Sequence, residues 1–252
     1  MKGRIALVQF RSSTSDETNI ERMEGFIKKE KGKSDLIVFP ELSIKRTFSE
    51  VEEGVFLEVL GDIAKDNKID IVPGSILVRT GAKTYNRSYY IDRNGKVIAK
   101  YDKTNLWKSE KLSKGSGPKA FKTRFGRTSL IICWDLASPN VASKLSKLKL
   151  DLIICPSMWW QGTESGAKTN FTQDMIDALC LARTYESRAV VAFTNTAGKL
   201  KLRRFTDWTA GRSQITAPFK NRICESKGSK EEVIRCTFNF TSLYLTRRYF
   251  GS

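Results

Sequence analysis

The chain has 252 residues, which fits one large domain or two small ones and is long enough to bury a stable core without disulfide bonds. Its five cysteines are odd in number and isolated, and it has no histidine, so the composition argues against a disulfide framework and against a zinc site. The excess of 44 Lys and Arg over 27 Asp and Glu gives a net charge of +17, which attracts anions without choosing among nucleic acids, acidic membranes and carboxylated substrates.

The apolar segments are short throughout. None approaches the ~20 residues that a membrane-spanning helix needs, and the N-terminal run turns polar at Arg11 before a signal sequence could form. We therefore expect a soluble, cytoplasmic protein with reduced thiols, no cofactor and no metal.

The first part of the chain alternates strands with helices. RIALVQF at 4–10 predicts an opening strand, and apolar residues at helical spacing over 20–27 predict the helix that follows. DLIVFPE at 35–41 is typical of a short buried strand ended by proline. Residues 53–68 then carry the apolar stripe of an amphipathic helix.

The rest of the chain continues with strands and two more helices. The pair Ser138 and Pro139 predicts the start of one helix, as N-cap and first helical residue, and 173–189 predicts the other. Predicted strands are 69–78, 84–92, 96–103, 127–133, 151–156, 189–195, 211–216 and 231–240.

This order favours α/β layers around a mixed sheet. No repeat, low-complexity tract or linker interrupts it, so residues 1–252 are expected to form a single domain. Residues 221–252 are treated as a C-terminal extension and as a candidate subunit interface.

Two cysteines end near copies of one phrase, SLIICWDL at 129–136 and DLIICPSM at 151–158. A nucleophilic cysteine needs partial exposure, a base and backbone N–H groups for the oxyanion, which strand ends beside helix N-termini supply. Pro156 has no N–H to offer. The residues therefore favour Cys133 over Cys155 as a nucleophile.

A base for that thiol must be a carboxylate or a lysine, because the chain has no histidine. Glu41 directly follows a predicted apolar strand, and strand ends gather along one rim of a layered α/β domain. Glu41 is therefore a candidate base, although an ordinary surface glutamate would fit the same pattern.

Three blocks together resemble a known family. FPE at 39–41, YDKTNLWKSE at 101–110 and IICWDL at 131–136 are similar, in order and separation, to the three catalytic blocks of the nitrilase superfamily, the carbon-nitrogen hydrolases. Supporting blocks are YNRS at 85–88, LARTYESRAVVAFTNTAG at 181–198 and GRSQITAP at 211–218. The resemblance extends from about residue 4 to residue 220.

The resemblance implies a four-layer α-β-β-α sandwich that forms a homodimer or a higher homo-oligomer. By position it implies Cys133 as the nucleophile and Glu41 as the base. Lys103 and the backbone N–H of Trp134 would stabilise the oxyanion, while Glu110 would position the substrate and hold the lysine and the base.

Two positions depart from the family pattern. Asn105 stands where the family often has histidine, and Asn140 stands where it has glutamate. Neither position performs the chemistry, so activity is still expected. The residues alone leave Lys103 and Glu110 open to another interpretation, as solvated charges in the basic segment 100–127.

The expected reaction is hydrolysis of a non-peptide C–N bond in a small linear amide or N-carbamoyl compound, through a thioester and with release of ammonia. Asp135 after Cys-Trp points to the amidase-like branches, because true nitrilases more typically have glutamate there. Nitrile hydrolysis by the same residues is the alternative. The basic segment 100–127 suggests that the substrate is anionic.

Two further expectations concern ligands. Trp159 and Trp160 are candidates for the wall of the substrate pocket, with core packing as the alternative for each. A non-catalytic basic protein that binds RNA or a partner, built on a decayed hydrolase fold, is the hypothesis from a different class. The chain has no glycine-rich RNA-binding block, so neither nucleic acid nor membrane is expected as a partner.

Overall fold

The computed structural model of the chain describes residues 2–163, 170–201, 206–240, 245, 248 and 249. The first elements are β1 (Lys2–Gln9), α1 (Asp16–Glu30), β2 (Leu36–Val38), β3 (Thr47–Ser49), α2 (Glu50–Asn67), β4 (Asp70–Val72), β5 (Ser75–Thr80), β6 (Lys83–Ile91) and β7 (Val97–Asp102). The next are β8 (Phe121–Thr123), β9 (Gly126–Leu130), a 3₁₀ turn (Cys133–Ala137), α3 (Pro139–Lys147), β10 (Leu152–Ser157) and α4 (Phe171–Ser187). The last are β11 (Val190–Asn195), β12 (Lys199–Lys201), β13 (Thr206–Trp208), β14 (Gln214–Ala217), β15 (Asn221–Glu225) and β16 (Glu232–Asn239).

These strands form two large mixed sheets and one small ribbon. The first sheet has the order β16-β1-β2-β4-β6-β5-β3, with β7 added beside β6. The second has the order β15-β14-β11-β10-β9-β8, and β12 pairs with β13 alone. None of the helices in the described ranges combines the length and the apolar character that crossing a bilayer requires.

The alternation of β1 explains how the layers stack. Ile5 and Leu7 point into the core between the two sheets, whereas Ala6 and Val8 point to the opposite face, against α1 and α2. Helices α3 and α4 pack on the other side of the second sheet. The protein is therefore an α-β-β-α sandwich, which confirms the predicted fold class.

The predicted strand at 69–78 is two strands, because the chain bends at Pro73 and Gly74. Gly74 has φ +85°, and a Cβ there would lie 1.9 Å from the carbonyl oxygen of Pro40. Only glycine permits both this conformation and this approach. The bend thus packs directly on the backbone that precedes Glu41.

The strand predicted at 127–133 also ends early. The N–H of Ile131 still donates to the carbonyl of Ile154 at 3.0 Å, but β9 has ended one residue before. The chain then turns, and Cys133 adopts the left-handed region with φ +49°. Ser138 caps α3 with its side chain, as predicted.

Residues 221–252, treated above as an extension, contribute an edge strand to each sheet in their described part. β15 pairs antiparallel with β14. β16 pairs antiparallel with the whole of β1, from Lys2 opposite Asn239 to Gln9 opposite Glu232. These two strands are therefore integral to the sandwich.

Candidate active site

The residues predicted as catalytic lie where strands of both sheets end. Glu41 follows β2, Lys103 follows β7, and Cys133 follows β9. The N–H of Glu41 donates to the carbonyl of Ser157 at the end of β10, at 3.3 Å, so the first sheet is tied to the second at this point. Glu110 reaches the same place from the loop after β7.

Lys103 forms a buried ion cluster with two carboxylates. Its side chain is 1% exposed, and its Nζ lies 2.8 Å from Oε1 of Glu41 and 2.9 Å from Oε1 of Glu110. Burial opposes the positive charge, but the charges of Glu41 and Glu110 outweigh it and raise the pKa of Lys103. The lysine is therefore a fixed cation and not a solvated surface charge.

Glu41 is held by more than the lysine. The side-chain amide of Asn86 donates to the same Oε1 atom at 2.8 Å, and the residue is 3% exposed. Both side-chain donors thus bind Oε1, which leaves Oε2 as the oxygen free to receive another proton donor. Because the site is buried, an unpaired carboxylate here would be costly, and these two donors offset that cost.

Glu110 is positioned by a short turn. The N–H of Trp107 donates to Oε2 of Glu110 at 2.6 Å, and the N–H of Glu110 donates back to the carbonyl of Trp107 at 2.9 Å. Since Oε1 contacts Lys103, each oxygen of this carboxylate has a fixed donor. Glu110 can therefore anchor the lysine without being the base.

Cys133 lies beside this cluster with its thiol almost sealed from solvent, at 7% exposure. Burial first, and then the negative charge of Glu41, raise the pKa of Cys133 well above its ordinary value, against the lowering effects of Lys103 and of the N–H of Met158. The thiol lies close enough to the Glu41 side chain for that side chain to raise its pKa. The resting group is therefore a thiol, with a carboxylate in place to take its proton.

Asp135 organises the backbone around the cysteine. Its Oδ1 accepts from the N–H groups of Thr104 and Asn105, at 3.2 and 2.6 Å, while Oδ2 accepts from the hydroxyl of Tyr101 and the N–H of Ile132, at 2.7 and 2.9 Å. Burial is the main reason why the pKa of Asp135 rises to about 6. This one carboxylate joins the lysine loop to the cysteine turn.

Asn105, one of the two departures from the family pattern, has a structural role here. Its side-chain amide donates to the carbonyl of Trp134 at 2.8 Å. The buried guanidinium of Arg183 on α4 holds the same turn from the other side, through the carbonyl of Leu136 at 3.0 Å. The 3₁₀ turn after Cys133 is therefore fixed at two carbonyls.

The backbone N–H of Trp134 is the second N–H group of the 3₁₀ turn, and it has no acceptor among the residues that the structure describes. The first N–H groups of any helical turn lack partners within it. An N–H that points away from its own turn beside a lysine ammonium is a suitable donor to a developing oxyanion.

The tryptophans form one aromatic cluster. The ring of Trp107 lies edge-on to those of Trp134 and Trp160, with centroid distances of 4.5 and 5.7 Å, and Trp159 lies 5.4 Å from Trp134. The side-chain amide of Asn195 fixes the backbone of Trp159. Its oxygen accepts the backbone N–H of Trp159 at 2.8 Å, and its nitrogen donates to the carbonyl of Trp159 at 3.1 Å. The cluster thus packs against the cysteine turn through Trp134.

The structure has a cavity of about 1090 Å³, and Glu41, Lys103, Glu110 and Cys133 are not among its described lining residues. Leu42, which follows Glu41 in the chain, and Met158, which lies near Cys133, both line the cavity. Trp159 and Trp160 are not among its described lining residues. Its wall carries one acid, Glu231, and five basic residues: Arg11, Arg22, Lys45, Lys199 and Lys230.

Most of these cations have no acidic partner in the described part of the chain. Arg22 pairs with Glu231 at 2.5 Å, and Lys199 lies over the Trp208 ring. The side chains of the other three basic residues form no ion pair there. The sequence predicts that the basic segment 100–127 attracts an anionic substrate. The basic residues that line the cavity belong to other segments of the chain.

Known proteins resemble this chain over almost its whole length. The family model described as carbon-nitrogen hydrolase matches residues 4–248. The chain belongs to this family. As a carbon-nitrogen hydrolase of the nitrilase superfamily it is an enzyme, so the hypothesis of a non-catalytic binding protein is not supported.

Three relatives of this carbon-nitrogen hydrolase illustrate the likeness. It is 28% identical to the 2-oxoglutaramate amidase of Bacillus subtilis, over 93% of this chain and 90% of the relative. The structure of Nit3 from Saccharomyces cerevisiae superposes with a TM-score of 0.82, at 23% identity and over 99% of this chain and 94% of the other. An amidase from Nesterenkonia sp. AN1, with the acetamide moiety of fluoroacetamide added covalently at its active-site cysteine, superposes with a TM-score of 0.79, at 19% identity and over 98% and 94% of the two chains.

The sequence had signals for several supporting residues to which it assigned no role. Asn86 lies in the YNRS block, and Arg183 and Asn195 lie in the block at 181–198. The N–H of Met158 could not be anticipated, because a backbone donor carries no signature in the residue type. In the described ranges no group of three or more Cys, Asp or Glu side chains is arranged to hold a metal ion.

Proposed function

We propose that this carbon-nitrogen hydrolase is a cysteine-dependent amidase that cleaves a small linear amide through a thioester and releases ammonia. The observation that carries the proposal is the Cys133 thiol beside a buried Glu41–Lys103–Glu110 cluster. Support also comes from the relatives, since the Nesterenkonia amidase is described with a covalent adduct at its active-site cysteine.

In the first step the sulfur of Cys133 attacks the amide carbon while its proton passes to Glu41. Negative charge then moves from Glu41 to the substrate oxygen, which Lys103 and the N–H of Trp134 would bind. Such preorganised donors are worth roughly 3 kcal/mol each in a site that excludes water. The proton on Glu41 next passes to the nitrogen, and ammonia leaves a thioester on the sulfur.

In the second step water cleaves the thioester. Glu41, again a carboxylate, takes a proton from the water, and the sulfur leaves as the carboxylic acid forms. The proton returns to Cys133, so one water is consumed and one ammonia is released in each cycle. No cofactor and no second protein nucleophile enters the balance.

Intact-mass measurement after mixing with amides tests the nucleophile. We expect an added acyl mass on the wild type that is lost in Cys133→Ala and kept in Cys180→Ala, a control that removes another buried thiol. Ammonia release should follow the same pattern. An adduct that persists in Cys133→Ala, or that disappears only in Cys155→Ala, would overturn the assignment.

We propose further that the substrate carries a carboxylate away from its amide. Arg11, Lys45 and Lys230, which form no ion pair with the described residues, line the same cavity as Leu42 and Met158. A charge-assisted hydrogen bond to a carboxylate stabilises by roughly 1.5–3 kcal/mol. Two related proteins are named 2-oxoglutaramate amidase and omega-amidase, which supports a substrate of this class.

Matched amides test this part. Succinamate should have a higher kcat/KM than the neutral butyramide, and the ratio should fall roughly tenfold in Lys45→Gln and in Arg11→Gln. Lys122→Gln, which removes an exposed charge outside the cavity, should leave the ratio unchanged. An equal loss in all three variants would reduce the preference to general charge attraction. Faster turnover of 3-cyanopropionate than of succinamate would favour the nitrile alternative.

A further inference from the structure

The second of the two similar phrases, DLIICPSM at 151–158, lies directly behind the first. Strands β9 and β10 run parallel with Leu130 opposite Ile154, and the carbonyl of Ile154 accepts the N–H of Ile131. Cys155 is the next residue, 0% exposed, and belongs to the same core cluster as Cys133. Its sulfur is therefore in place to contact the cysteine turn.

The backbone N–H of Cys133 requires an acceptor, and the sulfur of Cys155 is placed to provide one. Cys133 is the first residue of the 3₁₀ turn and has φ +49°, a conformation that disfavours residues other than glycine. Its buried N–H finds no carbonyl in its own turn, and a buried N–H needs an acceptor. The N–H of Cys133 lies near the sulfur of Cys155, where it lowers the pKa of that thiol.

The same strand end also holds the base and the thiol. The carbonyl of Ser157 accepts the N–H of Glu41 at 3.3 Å, and the N–H of Met158 lies near the sulfur of Cys133, where it lowers the pKa of the thiol. Cys155 is linked to this arrangement, since its sulfur lies 3.4 Å from the hydroxyl of Ser157. Residues 155–158 therefore set the nucleophile against its base.

Cys155 is suited to accept hydrogen bonds and not to attack a substrate. Burial raises its pKa to about 12, so it stays a thiol. Pro156 offers no N–H for an oxyanion. The sulfur is fully buried, 3.4 Å from the hydroxyl of Ser157 and beside the backbone of Cys133.

We propose that Cys155 is a positioning residue for the nucleophile. By accepting the N–H of Cys133, its sulfur stabilises the left-handed turn that aims the thiol at Glu41. Because the first N–H of the turn is satisfied in this way, the second, that of Trp134, stays available for the substrate oxygen. The inference rests on the proposed function, but the turn itself can be examined without turnover.

Three substitutions separate positioning from packing. Cys155→Ser keeps an acceptor, Cys155→Val fills the space without one, and Cys155→Ala removes both. Cys180→Ala is the matched control, because Cys180 is equally buried but lies on α4. All variants carry Cys224→Ser, which removes the one cysteine of intermediate exposure and so keeps alkylation at Cys133 readable.

The first readout is the rate at which iodoacetamide alkylates Cys133, followed by intact mass from pH 6 to pH 10. We expect Cys155→Val and Cys155→Ala to lower this rate roughly tenfold or more, since a small displacement of a reacting atom has effects of that size. The pH midpoint should rise, because the sulfur loses its alignment with Lys103 and the N–H of Met158. Cys155→Ser should stay within about threefold of the parent.

The second readout is turnover of succinamate, where kcat should fall with the alkylation rate while KM stays within about twofold. Equal rates in Cys155→Ser and Cys155→Val, with equal losses of thermal stability, would overturn the proposal in favour of packing alone. If Cys155→Ala does not fold, the comparison of Cys155→Ser with Cys155→Val still distinguishes positioning from packing. If the parent protein cleaves no amide, the proposed function fails, whereas the alkylation series still tests the position of Cys133.

Discussion

Replacing Lys103 by methionine isolates the electrostatics of the buried cluster. Methionine matches the length of the aliphatic chain but leaves Glu41 and Glu110 without their shared cation. Their Oε1 atoms lie no more than about 6 Å apart, and at an effective dielectric constant of about 20 two unit charges at that distance repel by roughly 3 kcal/mol. Breaking a buried pair on one side costs about 3–5 kcal/mol in general, so we expect Lys103→Met to lose about that much unfolding free energy at pH 7.

The loss should depend on pH, because only ionised carboxylates repel. Urea unfolding at pH 5 and at pH 7, followed by circular dichroism, should show a smaller destabilisation at the lower pH. The double variant Lys103→Met with Glu110→Gln should recover about 2–3 kcal/mol at pH 7, since one of the two charges is gone. Neither variant should form the acyl adduct.

A pH-independent loss in Lys103→Met would refute this reasoning, because it would mean that lost packing and not repulsion dominates. Full stability together with full activity would refute the cluster itself. The control is Lys144→Met on α3, whose exposed ammonium donates to the carbonyl of Ser116 at 3.5 Å, and it should change the unfolding free energy by less than about 0.5 kcal/mol.

Three further outcomes are expected. Burial raises the pKa of Asp135 from 3.8 to about 6, so the folded state favours the neutral acid; that stabilisation is present below about pH 4 and lost as the pH rises through 6. Urea unfolding should therefore show Asp135→Asn gaining about 3 kcal/mol relative to the wild type between pH 4 and pH 7, and a constant difference would contradict the shift. Asn86→Ala removes one of two donors to Oε1 of Glu41, so steady-state kinetics should show a roughly tenfold lower kcat with little change in KM. Phe219 and Tyr249 are exposed with rings 5.9 Å apart, and Phe219→Asp should shift the expected homo-oligomer toward the monomer in sedimentation velocity, whereas unchanged sedimentation would exclude this surface.

Local pattern was enough to predict most elements of the fold. The apolar run before Glu41 formed a buried strand, and Ser138 capped its helix, because both depend on residues close in the chain. The errors occurred where a distant contact decides the local structure. The run at 69–78 broke into two strands because Gly74 packs on Pro40, more than 30 residues away.

The candidate site shows the same difference between what nearby residues determine and what distant contacts determine. Residue types at strand ends, with the family resemblance, singled out Glu41, Lys103 and Cys133 as candidates, and the structure brings the three together. Pairing across 62 positions of chain, as between Glu41 and Lys103, depends on how the two strand ends meet, and periodicity does not report that. The cavity cations were missed for the same reason, since their segments have no common pattern.

The presence of two glutamates on one lysine has a physical explanation in the proposed cycle. Glu41 alternates between a carboxylate and a neutral acid as it takes and returns the proton of Cys133, so alone it would leave Lys103 buried and unpaired in half of the states. Glu110 takes no part in this proton transfer, and its Oε1 contacts the lysine while its Oε2 accepts the backbone N–H of Trp107. The ammonium therefore stays in place when Glu41 becomes neutral, and the charge that Glu41 gives up reappears on the substrate oxygen within reach of the same cation. A histidine-free site can in this way move a proton without leaving a buried charge uncompensated.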